Sequence, residues 1–128
     1  MEFNIKEGMK SVNEMIVTEN DTASKLGSGD LDVFSTPSMI ALMENTSKNV
    51  VEKFLPEGFS TVGIQVSIKH LKATPLGMKV RCEAFLEAVE GKKLTFKVEA
   101  WDEKGKIGEG THDRFIINVE SFMNKIRS

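Results

Sequence analysis

The sequence predicts an α+β domain in which an antiparallel sheet wraps around one long central helix. The helix is indicated by residues 36–55, which contain no Gly and only one Pro, near the start. Four segments with alternating apolar and polar residues follow at hairpin spacing. This spacing favours antiparallel pairing, because parallel strands need longer crossover connections. The chain of 128 residues suits one domain, which we assign to residues 1–128.

A strand and a covering loop are predicted before the long helix. Residues 11–18 mix apolar and polar side chains and favour a strand. Residues 22–35 contain a short helical pattern at 22–26 and then the turn-forming sequence GSGD at 27–30. We expect this stretch to form a loop that covers the core.

The long helix has the clearest signals. Thr36 is the predicted N-cap, and Pro37 is the predicted first helical residue, where a backbone N–H is not needed. Its apolar residues occupy two stripes, so the first turns are apolar nearly all round and must be enclosed. The stripes consist of Ile40, Met43, Glu44, Ser47, Val51 and Phe54, and of Met39, Leu42, Thr46, Val50 and Lys53.

The strands after the helix are predicted from alternation and turn residues. In residues 61–70, one face carries Val62, Ile64, Val66, Ile68 and His70. A second strand begins at residue 78, and Cys82 belongs to its inward face. Further strands are expected at 94–100 and 107–119, with a closing helix at 120–127.

Composition excludes several classes of function. The 17 Lys and Arg residues and 19 Asp and Glu residues give a net charge of −2, with no basic segment suited to nucleic acid. No apolar run approaches the roughly 20 residues that span a bilayer. One cysteine allows no internal disulfide, and no metal-ligand spacing occurs, so we expect no metal site. The N-terminus lacks a signal-peptide pattern, which predicts a cytoplasmic protein.

Thr36, Glu44 and His70 are candidate catalytic residues. The chain has no Tyr and two His, so a general base near neutral pH is His70 or His112. Glu44 lies on an apolar stripe, where a carboxylate is costly unless it is paired or protonated. If the strand at 61–70 crosses the helix, the three side chains can converge as hydroxyl, carboxylate and base. Taken singly, each also has a structural interpretation: a cap, a carboxylate at the edge of the stripe and a strand-end histidine.

Four stretches of the chain match a known family pattern. They read VFSTPSMIALME at 33–44, VGIQVSIKH at 62–70, ATPLG at 73–77 and GEGTHDR at 108–114. They resemble the hotdog-fold thioesterases of the fluoroacetyl-CoA thioesterase type, and the resemblance covers about residues 8–127. It implies a hotdog fold and a catalytic set of Thr36, Glu44 and His70. It also implies that Gly63 lines the thioester site, where a missing side chain lets the substrate approach the backbone.

The resemblance predicts an acyl-CoA thioesterase that releases a small free acid and CoA without a cofactor. It implies a homodimer or higher homo-oligomer with active sites near the subunit interface. Three alternatives stay open: a non-catalytic acyl-CoA sensor on the same fold, a hotdog dehydratase or isomerase, and a structural assembly module.

Two features stand outside this predicted site. The family member specialised for the fluorinated substrate has a phenylalanine lid before the helix, whereas residues 27–32 here read GSGDLD, so we expect no fluoroacetyl preference. We interpret His112 as a structural or interface residue. Lys69, Lys72, Lys79 and Arg114 are interpreted as a solvated strand face or as phosphate contacts outside the site.

Overall fold

Five strands form one antiparallel sheet whose inner face holds the long helix. This computed structural model describes residues 3–128. The elements are β1 (Lys10–Ile16), α1 (Ala23–Leu26), α2 (Thr36–Val51), β2 (Phe59–His70), β3 (Lys79–Glu90), β4 (Lys93–Asp102), β5 (Gly105–Asn118) and α3 (Val119–Arg127). The strand order is β1-β3-β4-β5-β2, and every neighbouring pair is antiparallel. The predicted α+β architecture is therefore confirmed.

The core lies between α2 and the inward residues of the central strands. Period-two alternation along β3 and β4 sends every second side chain toward the helix. The helix ends at Val51, where residues Glu52–Phe54 tighten into a 3₁₀ turn, so it is shorter than predicted. The buried helix residues are Met39, Leu42, Met43, Thr46, Ser47, Val50 and Val51, and they face Val80, Cys82, Ala84, Leu86, Leu94, Phe96, Val98 and Ala100.

The helix start differs from the prediction by one residue. Ser35 is the N-cap, with an extended backbone and a side chain that accepts a hydrogen bond from the Ser38 N–H at 3.1 Å. Thr36 is the first helical residue and Pro37 the second, so the prediction that Thr36 caps the helix is wrong. Because the adjacent serine supplies the cap, the Thr36 hydroxyl is free for another partner.

A glycine on β5 lets α2 pack closely at this end of the sheet. Gly108 lies opposite His70 in the β2–β5 pairing. A Cβ atom at Gly108 would lie 2.5 Å from Sδ of Met39, a helix residue one turn beyond Thr36. The missing side chain therefore allows the helix start to approach the end of β2.

β2 contains a β-bulge that interrupts its alternation. Its pairing with β5 shifts between Gly63 and Gln65, so Ile64 is the extra residue. Cross-strand partners share one face of a sheet. Val62 pairs with Phe115 on the outer face, so the prediction of a single apolar face running from Val62 to His70 is wrong. The inner-face pairs are Gly63 with Arg114, Val66 with His112, Ile68 with Gly110 and His70 with Gly108.

β2 is also an edge strand with exposed apolar side chains. Ile64 is 52% exposed and Val66 is 43% exposed. An edge strand presents unpaired backbone groups, and apolar side chains beside them favour coverage by another strand. The sequence predicted a half-buried strand, whereas this part of β2 is open in the single chain.

The described helices do not include a membrane span. Within residues 3–128 no helix is long and apolar enough to cross a bilayer. The N-terminal pattern behind the cytoplasmic prediction includes residues 1 and 2, which lie outside the described residues.

Candidate active site

Thr36 and His70 form a hydrogen-bonded pair where α2 begins and β2 ends. Oγ1 of Thr36 lies 2.8 Å from Nδ1 of His70. Burial lowers the pKa of His70 below its ordinary value of 6.5, which favours the neutral imidazole at pH 7. A neutral Nδ1 can accept the Thr36 hydroxyl proton, which is the arrangement that general-base activation requires.

The other ring nitrogen of His70 is buried and unpaired. Nε2 makes no hydrogen bond of regular geometry among residues 3–128, although the Lys72 backbone lies near enough to the ring to oppose the lowering of its pKa. Nearly all buried polar atoms in proteins are hydrogen-bonded, so an orphaned imidazole nitrogen is a feature that calls for a functional explanation.

The Thr36–His70 pair lines an open cavity of about 370 Å³. One wall comes from the segment before α2, including Val33 and Phe34, and the other from residues 71–73 after β2. This volume is at the small end of the range for ligand pockets, which is roughly 300–1,000 Å³. The cavity can therefore hold a small acyl group beside the hydroxyl and the imidazole.

Glu44 belongs to a second cluster, two turns further along α2. A Cβ atom at Gly63 would lie 3.0 Å from Oε2 of Glu44, 3.1 Å from Cε1 of His112 and 3.3 Å from Nη1 of Arg114. The absent side chain of Gly63 therefore makes room for three polar side chains. This is a different use of the glycine from direct approach of a substrate to the backbone.

Arg114 is the central donor of this second cluster. It is only 7% exposed, and its Nε and Nη2 donate to the hydroxyl and the carbonyl of Thr61 at 2.8 and 2.9 Å. Nη1 lies 3.1 Å from Nε2 of His112, whose Nδ1 lies 2.8 Å from the carbonyl oxygen of Gln65 at the bulge. The Glu44 carboxylate faces this cation and raises its pKa, although burial has the larger, lowering effect. The cluster thus places a half-buried carboxylate opposite a buried guanidinium.

The structure brings the predicted site residues together as two pairs. Thr36 lies with His70, and Glu44 lies with Gly63. Thr36 and Glu44 are eight residues apart in one helix, which corresponds to about 12 Å along its axis. Within residues 3–128, the carboxylate makes no hydrogen bond with Thr36 or His70.

Sequence reasoning missed the burial of three polar residues near the site. The interpretation of Arg114 as a solvated or phosphate-binding residue is wrong, because its side chain is buried on the inner face. Its alternation with His112 and Ile116 is the signal that could have revealed this. Thr61 and Asp102 are also buried, and no local pattern distinguishes them from surface residues.

No cluster of metal-ligating side chains accompanies either pair. Across residues 3–128, no three His, Cys, Asp or Glu side chains are placed to hold a metal ion together.

A single antiparallel sheet that wraps around one long helix is the architecture of the hotdog fold. The family model for the fluoroacetyl-CoA-specific thioesterase matches residues 17–120. The curated fluoroacetyl-CoA thioesterase of Streptantibioticus cattleyicolor is 38% identical over 96 residues, which are 75% of this chain and 69% of that protein. The chain belongs to the fluoroacetyl-CoA-specific thioesterase family, and by family it is a thioester hydrolase.

Solved structures agree with this membership. A variant of the fluoroacetyl-CoA-specific thioesterase FlK, in complex with fluoroacetate and CoA, has a TM-score of 0.88 and 31% identity. That match covers 92% of this chain and 99% of the other. A hot-dog-like protein from Thermanaerovibrio acidaminovorans, at 21% identity and a TM-score of 0.87, covers 95% of this chain and 90% of its own and shares the fold.

We predict that His112 is neutral at pH 7 and carries its proton on Nδ1. A guanidinium has no acceptor, so Arg114 must donate to Nε2 of His112, and Nδ1 must then donate to the Gln65 carbonyl. Burial, reinforced by the charge of Arg114, lowers the pKa of His112 below its ordinary value of 6.5. Nitrogen-15 NMR of the imidazole rings tests this, and His70→Ala leaves one ring to assign.

A proton on Nε2, or titration above pH 6.5, would contradict the network.

The lowered pKa of His112 also has a consequence for stability. An unfolded histidine binds a proton near pH 6.5 more readily than the folded one, so the free energy of unfolding should fall as the pH drops from 7 to 5.

Proposed function

We propose that the protein hydrolyses a small acyl-CoA thioester to the free acid and CoA. The observation that carries the proposal is the 2.8 Å contact between Oγ1 of Thr36 and Nδ1 of His70 in a cavity of about 370 Å³. Family membership supports the reaction class. The relative bound to fluoroacetate and CoA supports the substrate class, because these are the two products of hydrolysing one acyl-CoA.

In the proposed reaction, His70 takes the proton from the attacking oxygen, either the Thr36 hydroxyl or a water that Thr36 orients. The new C–O bond converts the thioester carbonyl into an oxyanion. When this tetrahedral intermediate collapses, the C–S bond breaks, and the leaving thiolate takes the proton from the His70 imidazolium. If Thr36 carries the acyl group, a water activated by the same base then releases the acid.

The helix start offers a donor for the oxyanion. Pro37 has no N–H, and the N–H groups of Ser38 and Met39 bind Ser35. We therefore propose the N–H of Thr36, a residue that lines the cavity, as the oxyanion donor at the positive end of the helix dipole.

We propose that a second copy of the chain completes the site with Glu44. Two β2 edges that pair antiparallel about a two-fold axis between residues 66 and 67 would set Gly63 of one copy opposite His70 of the other. Because Glu44 lies against Gly63 of its own copy, this pairing would place its carboxylate near the Thr36–His70 pair of the other copy. The exposed Ile64 and Val66 would be covered in the same step.

The proposed substrate has a short acyl chain without a requirement for fluorine. The segment before α2 has one phenylalanine, Phe34, and it is buried against the core rather than set over the cavity as a lid. We therefore expect acetyl-CoA to be hydrolysed, and fluoroacetyl-CoA to exceed it in kcat/KM by no more than the greater reactivity of its carbonyl explains.

Thiol release from a panel of acetyl, fluoroacetyl, isobutyryl and benzoyl CoA esters tests the reaction. His70→Ala should lower kcat/KM by about 10²- to 10⁴-fold, because the base is lost. Thr36→Val should lower it strongly while Thr36→Ser retains activity. Thr46→Val is the matched control, since it removes a buried hydroxyl of the same helix that donates to the Leu42 carbonyl and has no contact with Thr36 or His70. The acid limb of the pH profile should lie below pH 6.5, because burial lowers the pKa of His70.

The alternatives give different outcomes in that assay. A dehydratase would change the acyl chain and release no thiol. A sensor would bind an ester without turnover, and a structural module would do neither. Any of these results, or full activity in His70→Ala, would overturn the proposal.

Mixing two inactive variants tests the shared site. We expect His70→Ala, which loses the base, and Glu44→Gln, which loses the carboxylate that we propose orients the reacting groups, to be inactive alone and to recover activity when co-expressed. In a statistical mixture half of the dimers are mixed, and each has one intact site, so activity should reach about a quarter of wild type. No recovery in purified mixed dimers would place all the catalytic residues of a site in one subunit.

A further inference from the structure

A buried carboxylate at the end of β4 has no part in the proposed reaction. The side chain of Asp102 is 1% exposed and accepts hydrogen bonds from Oγ1 of Thr74 at 2.9 Å and Nζ of Lys72 at 3.1 Å. The backbone N–H groups of Lys104 and Gly105 donate to it at 2.8 and 3.1 Å. Burial alone would raise the pKa of Asp102. The hydrogen bonds and the charge of Lys72 together outweigh burial and lower the pKa below its ordinary value, so the carboxylate is ionised at pH 7.

Thr74 connects this carboxylate to the segment that enters α2. The residue is fully buried, and its carbonyl accepts a hydrogen bond from the Phe34 N–H at 2.8 Å. Val33 and Pro75 form an isolated bridge beside this bond. Phe34 lies two residues before Thr36, so the position of Thr74 sets where the helix begins.

The same carboxylate also holds the segment that leaves β2. Lys72 lies two residues after His70 and forms an ion pair with Asp102. Between them, the Leu71 N–H donates to the Ile107 carbonyl at 2.7 Å. Residues 71–74 are thus fixed along their length, with His70 at one end and Thr74 at the other.

We propose that Asp102 and Thr74 are positioning residues that set the distance between Thr36 and His70. One charged group restrains the two chain segments that carry the hydroxyl and the imidazole, and Thr74 contacts both Asp102 and the helix-entry segment. Without the Thr74 hydroxyl, residues 71–74 lose a contact with the sheet, and the 2.8 Å contact between Thr36 and His70 lengthens.

The test compares Thr74→Val, Thr74→Ser and Thr46→Val. Valine keeps the shape of threonine without its hydroxyl, serine keeps the hydroxyl, and the Thr46 variant removes a buried hydroxyl away from the pair. NMR titration of the imidazoles gives a readout that does not depend on turnover, and His112 serves as the internal reference. We expect Thr74→Val to shift the His70 signals and move its pKa toward 6.5, with His112 unchanged. Thr74→Ser and Thr46→Val should leave His70 as in the wild type.

Kinetics give the second readout, which rests on the proposed thioesterase function. Below the melting range, Thr74→Val should lower kcat by about tenfold to a hundredfold with little change in KM, because misplacement of a reacting group by about 1 Å costs that much. Thr74→Ser should restore kcat, and Thr46→Val should leave it unchanged.

The proposal is overturned if Thr74→Val leaves the His70 signals and kcat unchanged and only destabilises the fold, which is the effect expected of the control Thr46→Val. If the wild type releases no thiol, the proposed function fails, and the imidazole titration alone tests whether Thr74 positions His70. If Thr74→Val does not fold, Asp102→Asn is compared with the wild type by the same two readouts. Its amide can still accept from Lys104 and Gly105 but presents a donor to Thr74.

Discussion

The hydrogen bond between Thr36 and His70 is the contact around which this end of the molecule is arranged. It joins the first residue of the long helix to the last residue of an edge strand, 34 positions later in the chain. Three local features make it feasible: the cap at Ser35, the proline at the second helical position, and the glycine at 108 that lets the helix approach. Each of these is a small side chain or a constrained backbone, and together they leave the hydroxyl free to meet the imidazole.

The second cluster is governed by the need to compensate a buried cation. A guanidinium that is taken out of water must be hydrogen-bonded and must face an opposite charge. Arg114 binds Thr61 and His112, and the carboxylate of Glu44 supplies the charge. Gly63 is the position where a side chain would collide with this group. The arrangement keeps Glu44 half-buried, and its carboxylate has no hydrogen-bond partner among residues 3–128.

Sequence reasoning predicted much of the fold because periodicity is a local property. The helix, the four later strands and the closing helix all follow from spacing that a packed core requires. The bulge at Ile64 could not be predicted, because an extra residue looks like continued alternation until the partner strand is known. The N-cap was displaced by one residue because Ser35 and Thr36 are both good caps, and tertiary contacts decide between them.

The candidate site was predicted in part for similar reasons. Thr36 and His70 are placed together by the crossing of one helix and one strand, which was the condition under which the sequence predicted their convergence. Glu44 was expected beside them, but its surroundings depend on Arg114, whose burial is a cross-strand effect. Asp102 and Thr74 are hydrogen-bonded across 28 positions of the chain, and no local pattern marks such a pair.

A crystal structure with a non-hydrolysable acyl-CoA analogue is the most direct test of the central claim that Thr36 and His70 are the reacting pair. We predict that the carbonyl carbon of the analogue lies about 3 to 3.5 Å from Oγ1 of Thr36, which is the separation of a near-attack geometry. A Glu44 carboxylate from the other copy of the chain should face the same carbonyl group. An acyl group bound away from Thr36 and His70, with the pair still intact, would contradict the account.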